Sequence, residues 1–194
     1  MKLVFATNNQ NKVLEIQALI NNTVNLLTLK DIGHEGDLPE EQDTLEGNAY
    51  QKAKYVFDNY GFNCFADDTG LEVEALDGLP GVYSARYAGN SKNSLNNINK
   101  LLEELKDTQN RRARFRTVIS LIINDTEKRF EGVVNGEIIN ELRGDKGFGY
   151  DPVFRPDGYE STFAEIPLED KNMISHRSKA IKKLADYLLT RDAL

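Results

Sequence analysis

Apolar positions along the chain alternate between short runs and helical stripes from the first residues onward. KLVFA (2–6) is an apolar run of strand length, TNNQN is a polar turn, and Val13, Ile16, Leu19 and Ile20 then recur at helical spacing. VNLLTLK (24–30) predicts a second strand. Behind the irregular stretch around DLPEEQD, Thr44 is placed to cap a helix carrying Leu45, Ala49, Ala53, Val56, Phe57 and Tyr60 on one face. In FADDTGLEVEALDGLPG (65–81) a buried strand is expected to end near two adjacent aspartates. LEVEA then alternates like a half-buried strand, and DGLPG is a turn. Leu95, Ile98, Leu101, Leu102 and Leu105 mark a helix over 94–106. ARFRTVISLIIN and RFEGVVNGEII read as strands joined at NDTEK like a hairpin, and a helix capped by Ser175 carries Ile181, Leu184, Ala185 and Leu188. Interleaved strands and helices, with two strands joined directly, predict an α/β fold with a mixed sheet in a single domain over 1–194.

Composition narrows the partners. The chain has 194 residues and a formal net charge of -7, which argues against a nucleic-acid polymer as ligand because phosphates need a basic stripe. A few lysines still suffice for a local pocket around a small phosphorylated ligand. No window approaches the roughly 20 apolar residues of a spanning helix, so no membrane partner is expected. The single cysteine, Cys64, and a start without a signal sequence fit a cytoplasmic location. The arginines at 111, 112, 114 and 116 read as a solvated basic face, and His34 as an unassigned loop residue.

Four segments carry candidate chemistry. TNNQNK (7–12) joins a strand to a helix start, where unpaired N–H groups and the helix dipole favour phosphate. Thr7, Asn8 and Asn9 would add donors and Lys12 a charge, although by itself the segment reads first as an ordinary turn with a solvated lysine. Asp67 and Asp68, with an acidic residue of LPEEQD, could hold a hard divalent cation, which uses one or two carboxylates and keeps waters while bridging phosphates. The glutamates read equally as loop charges. GDKGFGYDPVF (144–154) brackets Phe148, Tyr150 and Asp151 with glycines and suits either base stacking or a packed hairpin. In EDKNMISHRSKA (169–180), His176 and Arg177 begin a helix against its dipole, hinting at an anionic or carbonyl-bearing ligand, whereas Lys171 alone reads as a surface residue.

The order of these blocks, ATNNQNK, NAYQKA, FADDTGLEVEALDGLPGVYSARYAG, GFGYDPVF and SHRSKA, resembles the inosine triphosphate pyrophosphatase family over residues 2 to about 188. The resemblance implies an elongated mixed β-sheet with flanking helices, two lobes around a central cleft, and a homodimer. It also implies a Mg²⁺-dependent hydrolase that cleaves non-canonical purine nucleoside triphosphates (dITP/ITP, XTP/dXTP) between the α and β phosphates. Carried onto this sequence, Thr7, Asn8, Asn9, Gln10, Asn11 and Lys12 would hold triphosphate, with Lys52 as a further phosphate ligand. Asp68 would be the proton acceptor and a metal ligand, Thr69 would touch substrate, and Glu40 would be the second metal ligand with Glu41 and Asp67 as rivals. Phe148, Gly149, Tyr150 and Asp151 would line the nucleoside pocket, and Lys171, His176 and Arg177 would surround base and phosphates. Asn8 departs from the glycine that many relatives carry there. A Maf-like pyrophosphatase is disfavoured by the GFGYDP and SHR blocks, a Nudix hydrolase by the lack of its glutamate-rich motif. A nucleotide-binding module without turnover is the alternative of a different class.

Overall fold

Strand β1 (Lys2–Phe5) is short because Thr7, Asn8 and Asn9 follow it, and it sits between two parallel partners. It pairs with β2 (Asn25–Thr28) from Lys2↔Asn25 to Phe5↔Thr28, and with β3 (Cys64–Val73) at Val4↔Cys64 and Phe5↔Phe65. The computed structural model describes residues 2–20 and 24–192, the side chains of 18–20, 191 and 192 excepted, so the expected core roles of Leu19 and Ile20 lie outside the described side chains. The remaining strands are β4 (Pro80–Gly81), β5 (Arg112–Ile123), β6 (Thr126–Ile138) and β7 (Phe154–Pro156). The sheet runs β2-β1-β3-β5-β6-β7, with β4 antiparallel on β3 and β7 antiparallel on β6. Parallel and antiparallel pairs in one sheet make the fold mixed α/β, as the sequence pattern predicts. Asn124 and Asp125, with φ of 49° and 61°, close the expected hairpin between β5 and β6. Both residue types tolerate the left-handed region that a two-residue turn requires.

The helices are α1 (Gln10–Ile20), α2 (Leu45–Tyr60), α3 (Ser94–Glu104), α4 (Leu168–Ile174) and α5 (His176–Asp192). Thr44 caps α2 as expected, its hydroxyl accepting from Gly47 N–H at 3.0 Å. α4 has no counterpart in the sequence pattern, since seven residues are too few to display a helical stripe.

By compactness the chain divides into two units, the first made of Met1–Asp68, Thr117–Gly132 and Arg177–Leu194, the second of Thr69–Arg116 and Val133–His176. In the first, the alternation of β1 separates two cores. Leu3 and Phe5 join Val13 and Ile16 of α1 and Ile181, Leu184 and Leu188 of α5, with Phe5 stacked on Phe65 at 4.6 Å. Val4 and Ala6 face the other way, with Ala53 and Val56 of α2. In the second unit Leu71, Val73, Ile98, Leu101, Phe115, Phe154 and Phe163 form one core. No helix among the described residues is long and apolar enough to cross a membrane.

Of the four arginines read as a solvated face, Arg112 and Arg114 are exposed as expected, whereas Arg111 and Arg116 are half-buried. Arg111 donates to the carbonyls of Ile138 at 2.6 Å and Leu105 at 2.9 Å. Arg112 is bidentate on Asp157, and Arg114 pairs with Glu72 at 2.5 Å. Charge alternation along one strand cannot reveal the acidic residues that neighbouring segments bring to it.

Candidate active site

α1 starts at Gln10 because Asn9 caps it: Asn9 Oδ1 accepts from the N–H of Asn11 at 3.0 Å and of Lys12 at 3.3 Å. Thr7 Oγ1 in turn accepts from Asn9 N–H at 3.2 Å, and Asn8 Nδ2 donates to Gly36 O at 2.8 Å. Asn8 and Asn9 are thus occupied in shaping the loop, while Gln10 and Asn11 are exposed. The first turn of α1 carries no acidic residue, so its dipole is left open to an anion. His34, unassigned from sequence, is buried and braces the neighbouring loop through Tyr60 OH at 2.9 Å and Gly36 O at 3.1 Å.

The two aspartates are not at the end of a strand. β3 continues through them to Val73, and successive residues of a strand project to opposite faces. Asp67 is 0% exposed and pairs with Lys12 Nζ at 2.8 Å, with Arg177 Nε at 3.6 Å. Burial works to raise its pKa, but Lys12, Arg177 and Lys52 outweigh burial and hold the carboxyl well below the usual carboxylate range. The Asp68 side chain, 13% exposed, turns instead to Lys52 Nζ at 3.5 Å. Burial lifts its pKa, opposed by Lys52 and Lys12 and reinforced by Glu40. The neighbours therefore differ in environment, and each meets its own cation.

Lys52 Nζ also lies 2.7 Å from Glu40 Oε1, so one buried ammonium addresses both expected metal carboxylates. The more exposed of the pair is Glu40, at 32%. Glu41, the rival from the same loop, turns away to Gln51, whose Nε2 donates to it at 3.3 Å. Asp67, the other rival, is sealed among cations. Among the described residues no three His, Cys, Asp or Glu side chains converge. Two carboxylates converging on one cationic point fit a hard divalent ion that completes its shell with water and phosphate oxygens, and do not fit a zinc cage.

The His-Arg pair opening α5 divides between the units. Arg177, 2% exposed, pairs with Glu15 and Asp67 in the first unit. His176 stacks on Phe115 at 4.6 Å in the second. Both are buried, not displayed on a basic helix surface.

The glycine-rich segment of the second unit is built around Asp151. Its Oδ2 accepts from Phe148 N–H at 2.8 Å and pairs with Lys171 Nζ at 2.7 Å. Lys171 is 3% exposed, which corrects its reading as a surface residue. Gly147 has φ of 72°, and a Cβ there would fall 2.1 Å from Asp151 Oδ2, so only glycine fits. Tyr150 is buried and donates to Ser84 O at 3.0 Å, and Phe148 is half-buried. Lys171 Nζ sits 5.3 Å from the Phe148 ring centroid. Gly149 (φ 62°) and the half-buried Thr69 complete the expected set.

Sequence reasoning missed Glu15 and Asn48, both buried in the first unit. A signal was present for Asn48, which interrupts the buried face of α2 one turn before Lys52, among Leu45, Ala49, Ala53 and Val56.

The model of the Ham1 family matches residues 3–187. A dITP/XTP pyrophosphatase of Flavobacterium psychrophilum is 54% identical over 96% of this chain and 98% of its own length. One of Porphyromonas gingivalis, with the same name, is 53% identical over 97% of each. Among solved structures, the Ham1 protein of Staphylococcus aureus superposes with a TM-score of 0.90 at 39% identity, covering 98% of this chain and 100% of its own. A HAM1 protein of Coxiella burnetii superposes at 0.91 with 36% identity, covering 98% and 99%. The resemblance read from the ordered motifs is borne out.

Proposed function

The chain belongs to the Ham1 family, and from that premise we propose that it is a nucleoside-triphosphate pyrophosphatase that clears non-canonical purine nucleotides, dITP/ITP and XTP/dXTP, from the nucleotide pool. Water adds to the α-phosphorus, the bond from that phosphorus to the oxygen bridging α and β breaks, and monophosphate and pyrophosphate leave. The observation that carries this reading is Lys52 drawing Glu40 and Asp68 together in the unit that also holds the N-terminus of α1, whose first turn carries no acidic residue.

Each residue has a role in that reaction. Lys12 and Lys52, at and near the positive end of the α1 dipole, bind phosphate oxygens. Asp68 takes the proton of the attacking water, and its burial makes it a better acceptor than an exposed aspartate. Glu40 and Asp68 would hold Mg²⁺, which when bound neutralises phosphate charge and acidifies water. Phe148 stacks on the base, with Asp151 and Lys171 setting the loop that presents it. Hypoxanthine and xanthine offer a carbonyl at position 6 where adenine offers an amine. A donor there, from Lys171 or from the backbone N–H of Gly147 or Gly149, accepts the former and is stranded by the latter. Such mismatches reject an analogue by roughly 10⁴-fold or more. Arg177, the other donor expected from sequence, is held by Glu15 and Asp67 and would have to leave them to read a base.

Pyrophosphate release from dITP, XTP, ATP, GTP and dTTP, with Mg²⁺ and with EDTA, tests the reading. Release from dITP and XTP is expected, lost with EDTA, with ATP slow. Equal rates on ATP and dITP would refute the selectivity, and no release from any triphosphate would leave only a binding module. Phe148→Ala is expected to raise KM for dITP about tenfold, in line with stacking worth roughly 1–3 kcal/mol per base. An unchanged KM would remove the stacking role. The homodimer carried by the resemblance is also proposed, with sedimentation equilibrium as its check.

A further inference from the structure

Asn48 occupies the buried face of α2 one helical turn before Lys52, and both ends of its amide are spent. Nδ2 donates to Asp68 Oδ2 at 3.2 Å, and Oδ1 accepts from Gln42 N–H at 2.9 Å. These partners set the orientation of the amide, since a backbone N–H only donates and an ionised carboxylate only accepts. The Gln42 end belongs to the segment that carries Glu40, and that segment is stitched to α2 along its length. Glu41 N–H donates to Gln51 Oε1 at 3.0 Å, and a Cβ at Gly47 would come within 2.7 Å of Gln42 Cβ.

We propose that Asn48 is a positioning residue that sets the separation of Glu40 and Asp68, holding the Asp68 carboxylate with one end of its amide and the Glu40 segment with the other. Lys52 also bridges the two carboxylates, but an ammonium on a flexible stem attracts without direction. The amide at 1% exposure is directional and confined. The inference rests on the pyrophosphatase reading, in which these two carboxylates act together. Carboxylates that hold a metal are themselves oriented by hydrogen bonds, and removing such a partner costs roughly 10–100-fold in metal affinity or activity.

The test measures dITP turnover and, separately, Mn²⁺ binding by electron paramagnetic resonance with a saturating α,β-methylene analogue of dITP, so that nothing is hydrolysed. Asn48→Leu keeps the volume and removes both hydrogen bonds without adding charge, and Asn48→Ala removes both together with the bulk. Each is expected to lower kcat by roughly 10–100-fold, keep KM for dITP within about threefold, and weaken Mn²⁺ by at least about tenfold. Gly47→Ala, which displaces Gln42 and leaves the Asp68 bond, is expected to weaken Mn²⁺ as well, and it carries the test if the Asn48 variants lose their circular-dichroism signature. Wild-type kcat in Asn48→Leu, or unchanged Mn²⁺ affinity in any folded variant, overturns the inference. A wild-type protein that hydrolyses no triphosphate overturns the pyrophosphatase reading and the inference with it, a result visible before any variant is made.

Discussion

Asp68→Asn is expected to lower dITP turnover by at least about 10²-fold, the usual worth of a positioned general base, while the protein stays folded. The carboxamide has the same shape and volume, but its single oxygen can accept from Lys52 or from Asn48 and not from both, since each donates to this group. What it loses is the capacity to accept a proton and half of the negative charge that Glu40 and Asp68 together present. Steady-state kinetics at saturating dITP and Mg²⁺ check the outcome, with a thermal melt to show the fold intact. Turnover near that of the unaltered enzyme would transfer the proton-accepting role to Glu40, because Asp67 is sealed behind Lys12 and Arg177.

Asp67→Ala should unfold the protein more readily by about 3–5 kcal/mol, the cost of stranding buried charge when one partner of a buried pair is deleted. Lys12 and Arg177 both lean on this carboxylate, and of the two only Arg177 keeps a second acidic partner, Glu15, within salt-bridge distance. Urea denaturation at pH 7 measures the loss, and a change within about 1 kcal/mol would show the pairing to be marginal, as for exposed ion pairs. The pH dependence follows from the same shifts. Because the Asp67 pKa is depressed on folding, its contribution is complete above the ordinary aspartate value and is lost as pH falls below it. Asp68 has the opposite sign: its pKa is raised on folding, so its contribution is present in acid and lost as pH rises through the folded value. Substituting one aspartate should therefore move acid stability in the opposite direction from substituting the other.

Much of the architecture is legible in the chain because local patterns and burial agree. The helical stripe behind Thr44, the polar turn after β1 and the hairpin at Asn124 and Asp125 each follow from residue types whose backbone preferences match their place. The short helix α4 escapes because one of its residues, Lys171, is buried by an ion pair and not by apolarity. The glutamates near residue 40 look alike in sequence, and a one-residue difference in position along α2, Lys52 against Gln51, decides which of them joins Asp68.

The sequence by itself determined the α/β class, the family and the set of charged and aromatic residues from which a phosphate-handling site is made, since these depend on residue identity and order. Tertiary structure alone decided how those residues are partnered. It set Asp67 and Asp68 on opposite faces of one continuous strand, divided His176 from Arg177, and brought Asn48 against Asp68. Charge pairing depends on distances between segments far apart in the chain, and no local pattern encodes them.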